Sequence, residues 1–277
     1  MKKYMIMTDS AADLSELEAK QLDLRVVRLP LSVNEHSYKE EVDITQSQLI
    51  QVMKNKAVVK TAQPVVGELL QQWEEALTVA ERVLYIPLSS KLSGSFSSAS
   101  ALAAQYDNRI VVVDAKLVAY PLQYICKEAR KQLENGHSLE EVKEMIEHNT
   151  YMYAALIPDN LDYLRRGGRI SSAAAALGNL LKITPILKVE DGGIDVLDKV
   201  RTQKKAIQVA LESVTDVENH DEYHWYVVEA DARELADTVA GQLQDIVQQN
   251  ITVRPIFPII MAHTGPGTIG LGRVKKF

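Results

Sequence analysis

The stretch YIPLSSKLSGSFSSASALAAQY, residues 85–106, decides the fold class because it passes from an apolar run through clustered hydroxyls into an alanine-rich segment. The apolar run predicts a buried strand, and the alanine-rich segment predicts a helix. The seven serines of this stretch would make a poor hydrophobic core. Together with a glycine at the start of a helix, they are well suited to hold a small anion.

Working outward from this stretch, the first half of the chain alternates apolar runs with helical patterns. Buried strands are predicted in KYMIMTDS, RVVRLPLSV, RVLYIPLSS and RIVVVDAK, whose near-continuous Val, Ile and Leu content is typical of a parallel sheet. Pro64 suits the first turn of its helix, and Ser138 with Glu141 predicts a capping box after a helix that ends near Gly136. This alternation predicts a doubly wound, Rossmann-like α/β domain over residues 1–150.

The second half of the chain changes character near residue 151. LDYLRRGGR predicts a short helix broken at Gly167 and Gly168, and Asp191-Gly192-Gly193 predicts the tight turn of a hairpin. Further helices are predicted in SSAAAALGNLL, KKAIQVALESV and ARELADTVAGQLQDIV, and strands in EYHWYVVEA and RPIFPIIMAH. We therefore expect a second α/β domain over residues 151–277, with a mixed sheet.

Composition excludes several classes of protein. The balance of 31 basic and 37 acidic residues gives a net charge of −6, which argues against a broad surface for nucleic acid. Cys126 is the single cysteine, so no disulfide framework is possible, and its apolar surroundings predict a buried structural thiol. Because no stretch reaches the length of a membrane span or of a signal peptide, we expect a soluble cytoplasmic protein.

Polar side chains collect where the predicted strands end, which is where open α/β sheets bind ligands. For Ser89, Ser90, Ser97 and Ser98, taken singly, an ordinary helix N-cap is the better interpretation. For Ser93-Gly94-Ser95 an anion site is the better interpretation, because glycine lets the backbone approach a ligand closely. Thr61 lies in a loop that opens the next helix, just ahead of Pro64.

A second cluster, MAHTGPGTIGLG, ends the predicted last strand. It matches G-x-G-x-x-G through Gly265, Gly267 and Gly270, but a dinucleotide site also needs a following helix, a strand and a distant acidic residue. We do not expect that site here. A glycine loop that places His263 and Thr264 against a ligand from the other domain is an alternative, and a purely structural histidine is equally compatible with the pattern.

Signatures of stand-alone enzymes are largely absent. The chain has no G-x-x-x-x-G-K-[ST] loop, no G-x-S-x-G elbow and no H-E-x-x-H helix, and its six histidines and one cysteine show no metal-ligand spacing. The residues alone therefore predict an α/β protein with an anion site and without a metal or cofactor.

Seven blocks of the sequence resemble the DegV family in the same order. They are MTDSAADL, KTAQPVVGEL, IPLSSKLSGSFSSA, VVDAKLVA, LDYLRRGGRISSAAAALGNLLKITPILKVEDG, KVRTQKKAI and AHTGPGTIGLG. The resemblance implies two α/β domains with a long-chain fatty acid held between them. It further implies the fatty-acid-binding subunit of a bacterial fatty acid kinase, active in phospholipid synthesis, which presents the carboxylate to a separate ATP-binding subunit that makes acyl phosphate.

The resemblance also implies roles for particular residues. Thr61, Ser93 and Gly94 would hold the carboxylate, with His263 close by. The acyl tail would lie in an apolar tunnel, for which SSAAAALGNLL and TPIL are candidate walls, although both are equally explained as core. Arg169 and Arg201, in the GGRI and VRT blocks, would contact phosphate or dock the partner.

Three positions depart from the family pattern: Ala62 and Ala115 stand where serine is common, and Lys91 stands where a small residue is usual. None of them removes Thr61 or Ser93. Two other functions stay open, a stand-alone acyl hydrolase that uses Ser93 with His263 as base, and a regulatory lipid-binding protein.

Overall fold

The structure, a computed structural model, describes residues 1–171 and 183–277, and these form two compact units. The first unit comprises residues 1–49 and 57–150 together with Phe277, and the second comprises residues 50–56 and 151–276. Apart from Ser171, the helix predicted in SSAAAALGNLL lies outside the described residues.

The first unit contains a four-stranded parallel sheet and a smaller antiparallel one. Its strands are β1 (Lys2–Asp9), β2 (Leu24–Val27), β3 (Pro30–Val33), β4 (His36–Lys39), β5 (Val59–Thr61), β6 (Ala80–Ile86) and β7 (Ile110–Val112). Its helices are α1 (Glu16–Gln21), α2 (Gln46–Lys54), α3 (Val66–Val79), α4 (Ser95–Ala103), α5 (Tyr120–Glu134) and α6 (Leu139–Asn149), with the last residues of α2 grouped with the second unit.

The parallel sheet has the strand order β2-β1-β6-β7, which confirms the predicted Rossmann-like arrangement. One face of this sheet packs on α3 and α4, where Trp73, Tyr85 and Met7 are fully buried in one apolar cluster. The predicted capping box of Ser138 and Glu141 begins α6, and Gly136 has a φ of +99°. Cys126 is buried, as predicted.

The antiparallel sheet, ordered β4-β3-β5, departs from the prediction. RVVRLPLSV was expected to be one strand, but it is divided between β2 and β3, and Pro30 begins the second strand. Asn34 and Glu35 then adopt positive φ values of 47° and 72°, which close the tight turn between β3 and β4. This turn pairs β3 with β4, so the second half of the segment belongs to the antiparallel sheet and the first half to the parallel sheet.

The start of α3 also differs from the prediction. The helix begins at Val66, after an extended N-cap residue, Val65, with a ψ of 122°. Pro64 therefore precedes the helix instead of lying in its first turn. Since the residue before a helix takes an extended conformation, the proline marks the approach to the helix.

The second unit contains a six-stranded mixed sheet with the order β10-β9-β8-β13-β11-β12. Its strands are β8 (Met152–Ile157), β9 (Thr184–Glu190), β10 (Gly193–Val200), β11 (Tyr223–Glu229), β12 (Thr252–Pro255) and β13 (Ile269–Lys275). Its helices are α7 (Asp162–Gly167), α8 (Gln203–Thr215), α9 (Arg233–Val247) and α10 (Pro258–Thr264). Only β11 and β12 pair in parallel among these strands, which confirms the predicted mixed sheet.

The hairpin predicted at Asp191-Gly192-Gly193 joins β9 to β10. Asp191 and Gly192 supply the positive φ values, 46° and 75°, and Gly193 is already the first residue of β10. Two residues with positive φ form the favoured turn for a tight hairpin, so the local sequence determines this connection.

The prediction of a strand over RPIFPIIMAH is wrong for the second half of that segment. β12 ends at Pro255, and residues Pro258–Thr264 form α10. Pro258 is the first residue of that helix, where its missing N–H costs nothing. His263 therefore lies in the last turn of a helix, not at the end of a strand.

The glycines of the G-x-G-x-x-G match do not open a helix. Gly265 and Gly267 lie between α10 and β13, and Gly270 lies within β13, between β8 and β11. A strand, not a helix, therefore follows this glycine motif. Among the described residues, no helix is long and apolar enough to cross a membrane.

Candidate functional site

The loop from β6 into α4 carries Ser93 and Gly94 and is tied to the sheet by backbone contacts. Leu88 N donates to the Asp9 carboxylate at 2.9 Å, and Ser89 N donates to Leu117 O at 3.0 Å. Ser93 N turns back to Ser89 O at 3.1 Å. These bonds hold the loop at the carboxyl edge of the parallel sheet, where ligands of open α/β sheets bind.

Ser93 and Gly94 form the approach to α4. The Ser93 hydroxyl lies 2.8 Å from Ser95 Oγ and accepts a hydrogen bond from Ser95 N at 3.2 Å. In the part of the chain that the structure describes, the backbone N–H groups of Gly94, Phe96 and Ser97 have no acceptor. Three free donors at the positive end of a helix dipole make this turn suitable for an anion.

Gly94 lies against a side chain that the sequence prediction missed. A β-carbon at this position would overlap the amide of Gln63. Gln63 Oε1 also accepts a hydrogen bond from Ser98 Oγ at 2.8 Å, on the next turn of α4. The missing Cβ therefore first makes room for Gln63, whereas the sequence had suggested room for a ligand. The signal available in the sequence was the position of Gln63 two residues after Thr61.

Thr61 lies at the end of a strand, although a loop had been expected. It is the last residue of β5, opposite Leu31 in β3, and the following Ala62 N donates to Pro30 O at 3.0 Å. Since Gln63 packs on Gly94, the segment after Thr61 approaches the start of α4. The first unit thus brings the segments of Thr61 and Ser93 together.

Two neighbouring serines have structural partners. Ser90 Oγ donates to the Asp114 carboxylate at 2.5 Å, and Lys116 N donates to the same carboxylate at 3.1 Å. Ser89 Oγ accepts from Lys91 N at 3.3 Å. Ser89 and Ser90 therefore stabilise the loops at the strand ends, as ordinary capping serines would.

Asp9 is a titratable group that the sequence prediction did not single out as functional. Its side chain ends β1, is completely buried, and accepts hydrogen bonds from Leu88 N and, at 3.0 Å, from Ala11 N. Burial raises the pKa of Asp9 to about 6, although the two backbone donors oppose this shift. This carboxyl group therefore titrates near neutral pH, directly beneath the loop that leads to Ser93.

In the second unit, His263 packs against α7. A β-carbon at Gly167 would overlap the imidazole, and Arg169 donates to the Gly167 carbonyl. Burial, with a contribution from the positive charge of Arg169, lowers the pKa of His263 to about 4. His263 is therefore neutral near pH 7, and two of the predicted residues, His263 and Arg169, lie together.

The glycine loop after α10 folds around two side chains of the same unit. Gly265 has a φ of +84° and a β-carbon there would overlap the ring of Tyr163. Gly267, with a φ of +83°, leaves space for Asp159. Thr264, next to His263, is 4% exposed, and its hydroxyl has no partner among the described residues. Tyr163 is a second residue that the motif analysis missed.

Arg201 is the last of the predicted site residues. It is exposed just before α8, and no ion pair or hydrogen bond of its side chain is found over residues 1–171 and 183–277. Its neighbour Thr202 caps α8 by accepting from Lys205 N at 3.2 Å. Arg165, by contrast, is paired with Asp162 at 2.7 Å. Within residues 1–171 and 183–277, no group of three or more His, Cys, Asp or Glu side chains could hold a metal ion.

The whole chain is similar to one family of proteins. A sequence model described as "Uncharacterised protein, DegV family" matches residues 3–276. A DegV domain-containing protein of Staphylococcus aureus (strain MRSA252) is 31% identical over 281 residues, which cover 100% of both chains.

Solved structures show the same similarity. A fatty acid (stearic acid)-binding protein from Eubacterium ventriosum superposes with a TM-score of 0.89 at 27% identity, covering 100% of this chain and 99% of that one. A DegV family protein from Thermus thermophilus, described for its fatty acid binding, has a TM-score of 0.85 at 27% identity, covering 99% and 100%.

Proposed function

The chain belongs to the DegV family, and on this premise we propose that it binds a long-chain fatty acid and presents it to a separate ATP-dependent kinase subunit. In this role the protein is a lipid-binding carrier without catalytic activity or cofactor of its own. The observation that carries the proposal is the start of α4, where free backbone amides adjoin Ser93 in a chain whose solved relatives bind fatty acids.

The carboxylate of the fatty acid is held at this turn. Ser93 donates its hydroxyl proton, Gly94 donates its backbone N–H, and the Thr61 hydroxyl completes the set. Support for Thr61 comes from Gln63, which brings the segment after β5 against Gly94. Hydrogen bonds to a charged acceptor are worth about 1.5–3 kcal/mol each, so a few of them fix the position of the head group.

Two residues of the second unit, His263 and Arg169, belong to the proposal because the DegV resemblance implies them. His263, neutral near pH 7, offers an imidazole N–H to the carboxylate, and Arg169 beside it supplies positive charge for the phosphate of the product. Arg201 is exposed and has no ion pair among the described residues, so it is available to contact the acidic or phosphate groups of the partner.

The acyl tail supplies most of the affinity. Each buried methylene contributes about 0.8 kcal/mol, so a long chain in an apolar tunnel is bound tightly with modest polar contacts. Of the two candidate walls named from the sequence, residues 172–181 lie outside the described residues, and the other is the segment Thr184–Leu187. Ile186 in that segment is fully buried in the core of the second unit. Its apolar side chain is therefore explained by core packing, without a tunnel.

The reaction itself needs the partner. A carboxylate oxygen attacks the γ-phosphorus of ATP, the bond to ADP breaks, and the products are acyl phosphate and ADP. The sequence contains no G-x-x-x-x-G-K-[ST] loop, which is consistent with a partner that binds the nucleotide.

Mass spectrometry of the freshly purified protein tests the binding step. We expect one fatty acid per chain in the native spectrum and its release after denaturation and organic extraction. A protein that is empty and also fails to bind added stearate and oleate would contradict the proposal.

Ser93→Ala tests the placement of the head group. We expect affinity for oleate to fall by about 5- to 150-fold, the loss of one hydrogen bond to a charged group. Ser97→Ala is the matched control, because Ser97 lies one turn along in α4, is exposed, and makes no side-chain hydrogen bond among the described residues. An unchanged affinity in Ser93→Ala would remove Ser93 from the site.

Two other functions give different results. A regulatory lipid-binding protein would bind oleate but support no acyl phosphate formation with ATP and a cognate kinase subunit. A stand-alone hydrolase would cleave an activated ester and lose that activity in Ser93→Ala. Against the hydrolase, the Ser93 hydroxyl bonds only to Ser95 among the described residues, and neither a histidine nor a carboxylate activates it.

A further inference from the structure

Asp9 is a buried carboxyl group without a cation. Its side chain is 0% exposed, and its two oxygens accept hydrogen bonds from Ala11 N at 3.0 Å and Leu88 N at 2.9 Å. Over the described residues 1–171 and 183–277, no Lys, Arg or His side chain pairs with it. Since an ionised carboxylate is costly to bury without a counter-charge, its charge state responds to any charge that is added nearby.

The groups that face Asp9 do not compensate its charge. Tyr85 on β6 and Cys126 on α5 both interact with it electrostatically. Burial raises the pKa of Cys126 to about 12 and that of Tyr85 well above its usual range, so both are neutral at neutral pH.

The charged residues near the neighbouring strand ends do not supply a counter-charge for Asp9 either. Asp13, which follows the turn at residues 10–12, is another buried carboxyl group. Arg28, which follows β2, is engaged with Glu40 at 3.1 Å and with Glu16 at 2.9 Å.

Asp9 is close to the proposed head-group site. Leu88, bonded to Asp9, is followed by Ser89, whose carbonyl accepts from Ser93 N at 3.1 Å. Because two residues span at most about 7 Å, these bonds keep Asp9 Oδ2 within roughly 13 Å of Ser93 N.

An anion bound at Ser93 and Gly94 therefore disfavours the ionised form of Asp9. At this separation, with an effective dielectric constant of about 20, two unit charges shift a protonation equilibrium by roughly tenfold. The hydrogen bonds from Ala11 and Leu88 are present with or without the ligand. The ligand's charge is therefore what changes the protonation equilibrium of Asp9 on binding.

We propose that Asp9 takes up a proton when an anionic ligand binds at Ser93 and Gly94, so that ligand binding is coupled to pH. This proposal rests on the proposed function, which puts a carboxylate at those residues. Affinity for the anion then rises about fourfold as the pH falls from 7.5 to 6, towards a limit of roughly tenfold at lower pH.

Isothermal titration calorimetry measures this proton directly. Oleate, below its critical micelle concentration, is titrated into the wild-type protein at pH 6.5 in two buffers of different ionisation enthalpy. We expect uptake on the order of half a proton per oleate, because Asp9 is then partly ionised before binding. Oleyl alcohol, with the same tail and no charge, should bind without proton uptake.

Two variants identify the group that takes up the proton. Asp9→Asn should bind oleate without uptake, whereas His263→Gln should bind oleate more weakly but retain the uptake per oleate bound. Uptake that persists in Asp9→Asn and disappears in His263→Gln would assign the proton to the imidazole and overturn the proposal. Binding of oleate by the wild-type protein with no net uptake would overturn it as well.

A second measurement does not depend on the folding of Asp9→Asn. The amide resonance of Leu88 in the wild-type protein reports the titration of Asp9 by NMR, because this amide donates to the carboxylate. Its titration midpoint should move to higher pH when oleate is bound, and an unmoved midpoint contradicts the proposal. If the wild-type protein binds neither oleate nor oleyl alcohol, the proposed function fails first, and this coupling falls with it.

Discussion

The side-chain amide of Gln63 occupies the position that a β-carbon at Gly94 would need. These residues come from two separate βα connections, one after β5 and one after β6. Gln63 also accepts a hydrogen bond from Ser98, so it contacts both ends of the first turn of α4. The proposed head-group site therefore depends on how closely these two connections pack.

Gly94→Ala tests this packing. Because Gln63 is exposed, the added methyl group should displace its flexible amide at a cost of only about 0.5 kcal/mol in the stability of the first unit, but it should weaken oleate binding. Urea denaturation and oleate titration measure the two effects. Gly67→Ala is the control, because nothing lies within 4 Å of its β-carbon position in α3, and it should leave stability equal or higher. Equal oleate affinity of Gly94→Ala and wild type would contradict the dependence of the site on this packing.

Asp9 should make the first unit less stable as the pH rises. Its pKa of about 6 lies above the value of about 3.9 in an unfolded chain, so the folded state binds the proton more tightly. The stabilisation is complete below about pH 4 and is lost as the pH rises through 6, a change on the order of 3 kcal/mol.

Trp73 allows this change to be measured in the first unit alone. In a Trp225→Phe background, Trp73 is the single tryptophan, and it is fully buried among the residues of α3. In urea denaturation, Asp9→Asn should abolish this change in the free energy of unfolding with pH. Asp107→Asn, at an exposed position, should retain it. If the free energy of unfolding of Asp9→Asn still changes in this way with pH, another titratable group is responsible.

His263 should have the opposite effect on the second unit. Its pKa of about 4 lies below the value of about 6.5 in an unfolded chain, so the unfolded state binds the proton more tightly. The contribution of neutral His263 to the free energy of unfolding is therefore fully present above pH 6.5 and decreases as the pH drops towards 4. With Trp73→Phe, fluorescence of Trp225 follows this unit, and His263→Gln should flatten the pH dependence. His148→Gln, on a side chain that is 72% exposed, should not.

Arg273 should stabilise the second unit through its shape as well as its charge. Its guanidinium donates to the carbonyl of Val214 at the end of α8 and lies 4.9 Å from the centre of the Tyr153 ring and 5.3 Å from that of Tyr223. Arg273→Lys loses this planar stacking and should lower the free energy of unfolding by about 2 kcal/mol. Lys275→Arg, at an exposed position of the same strand, should be neutral. Equal effects of the two changes would argue against stacking.

The capping box of α6 should have a measurable effect on stability. Ser138 Oγ accepts from Glu141 N at 3.2 Å, and Glu141 Oε2 accepts from Ser138 N at 2.7 Å. Ser138→Ala should cost about 1 kcal/mol in urea denaturation, since one helix amide loses its acceptor. Ser37→Ala, an exposed serine in β4, should cost nothing measurable.

Much of the fold was predictable because its signals are local. Apolar runs of strand length identified β1, β6 and β7, and the Asp191-Gly192 pair identified the hairpin of the mixed sheet. The DegV resemblance, confirmed over residues 3–276, rests on motifs that are likewise short and contiguous. Periodicity failed at Pro258, where an apolar segment became a helix because a proline at its first position and burial on one side override strand propensity.

The candidate site was predictable only in part. Ser93, Gly94, Thr61 and His263 could be named from the sequence because hydroxyls, glycines and a histidine follow strands or match motifs. Their neighbours could not. Gln63 meets Gly94, and Asp9 bonds Leu88 across 79 residues, because sheet order and loop packing bring those segments together.

The sequence by itself determined the class of the fold, the family, and the types of residue available to bind a carboxylate. Tertiary structure alone decided the charge states of two of its groups. Asp9 titrates near pH 6 and His263 near pH 4 because burial removes water from both, and burial depends on contacts between residues far apart in the chain. Composition and motifs contain no record of that desolvation, so the electrostatics of the site follow only from the folded structure.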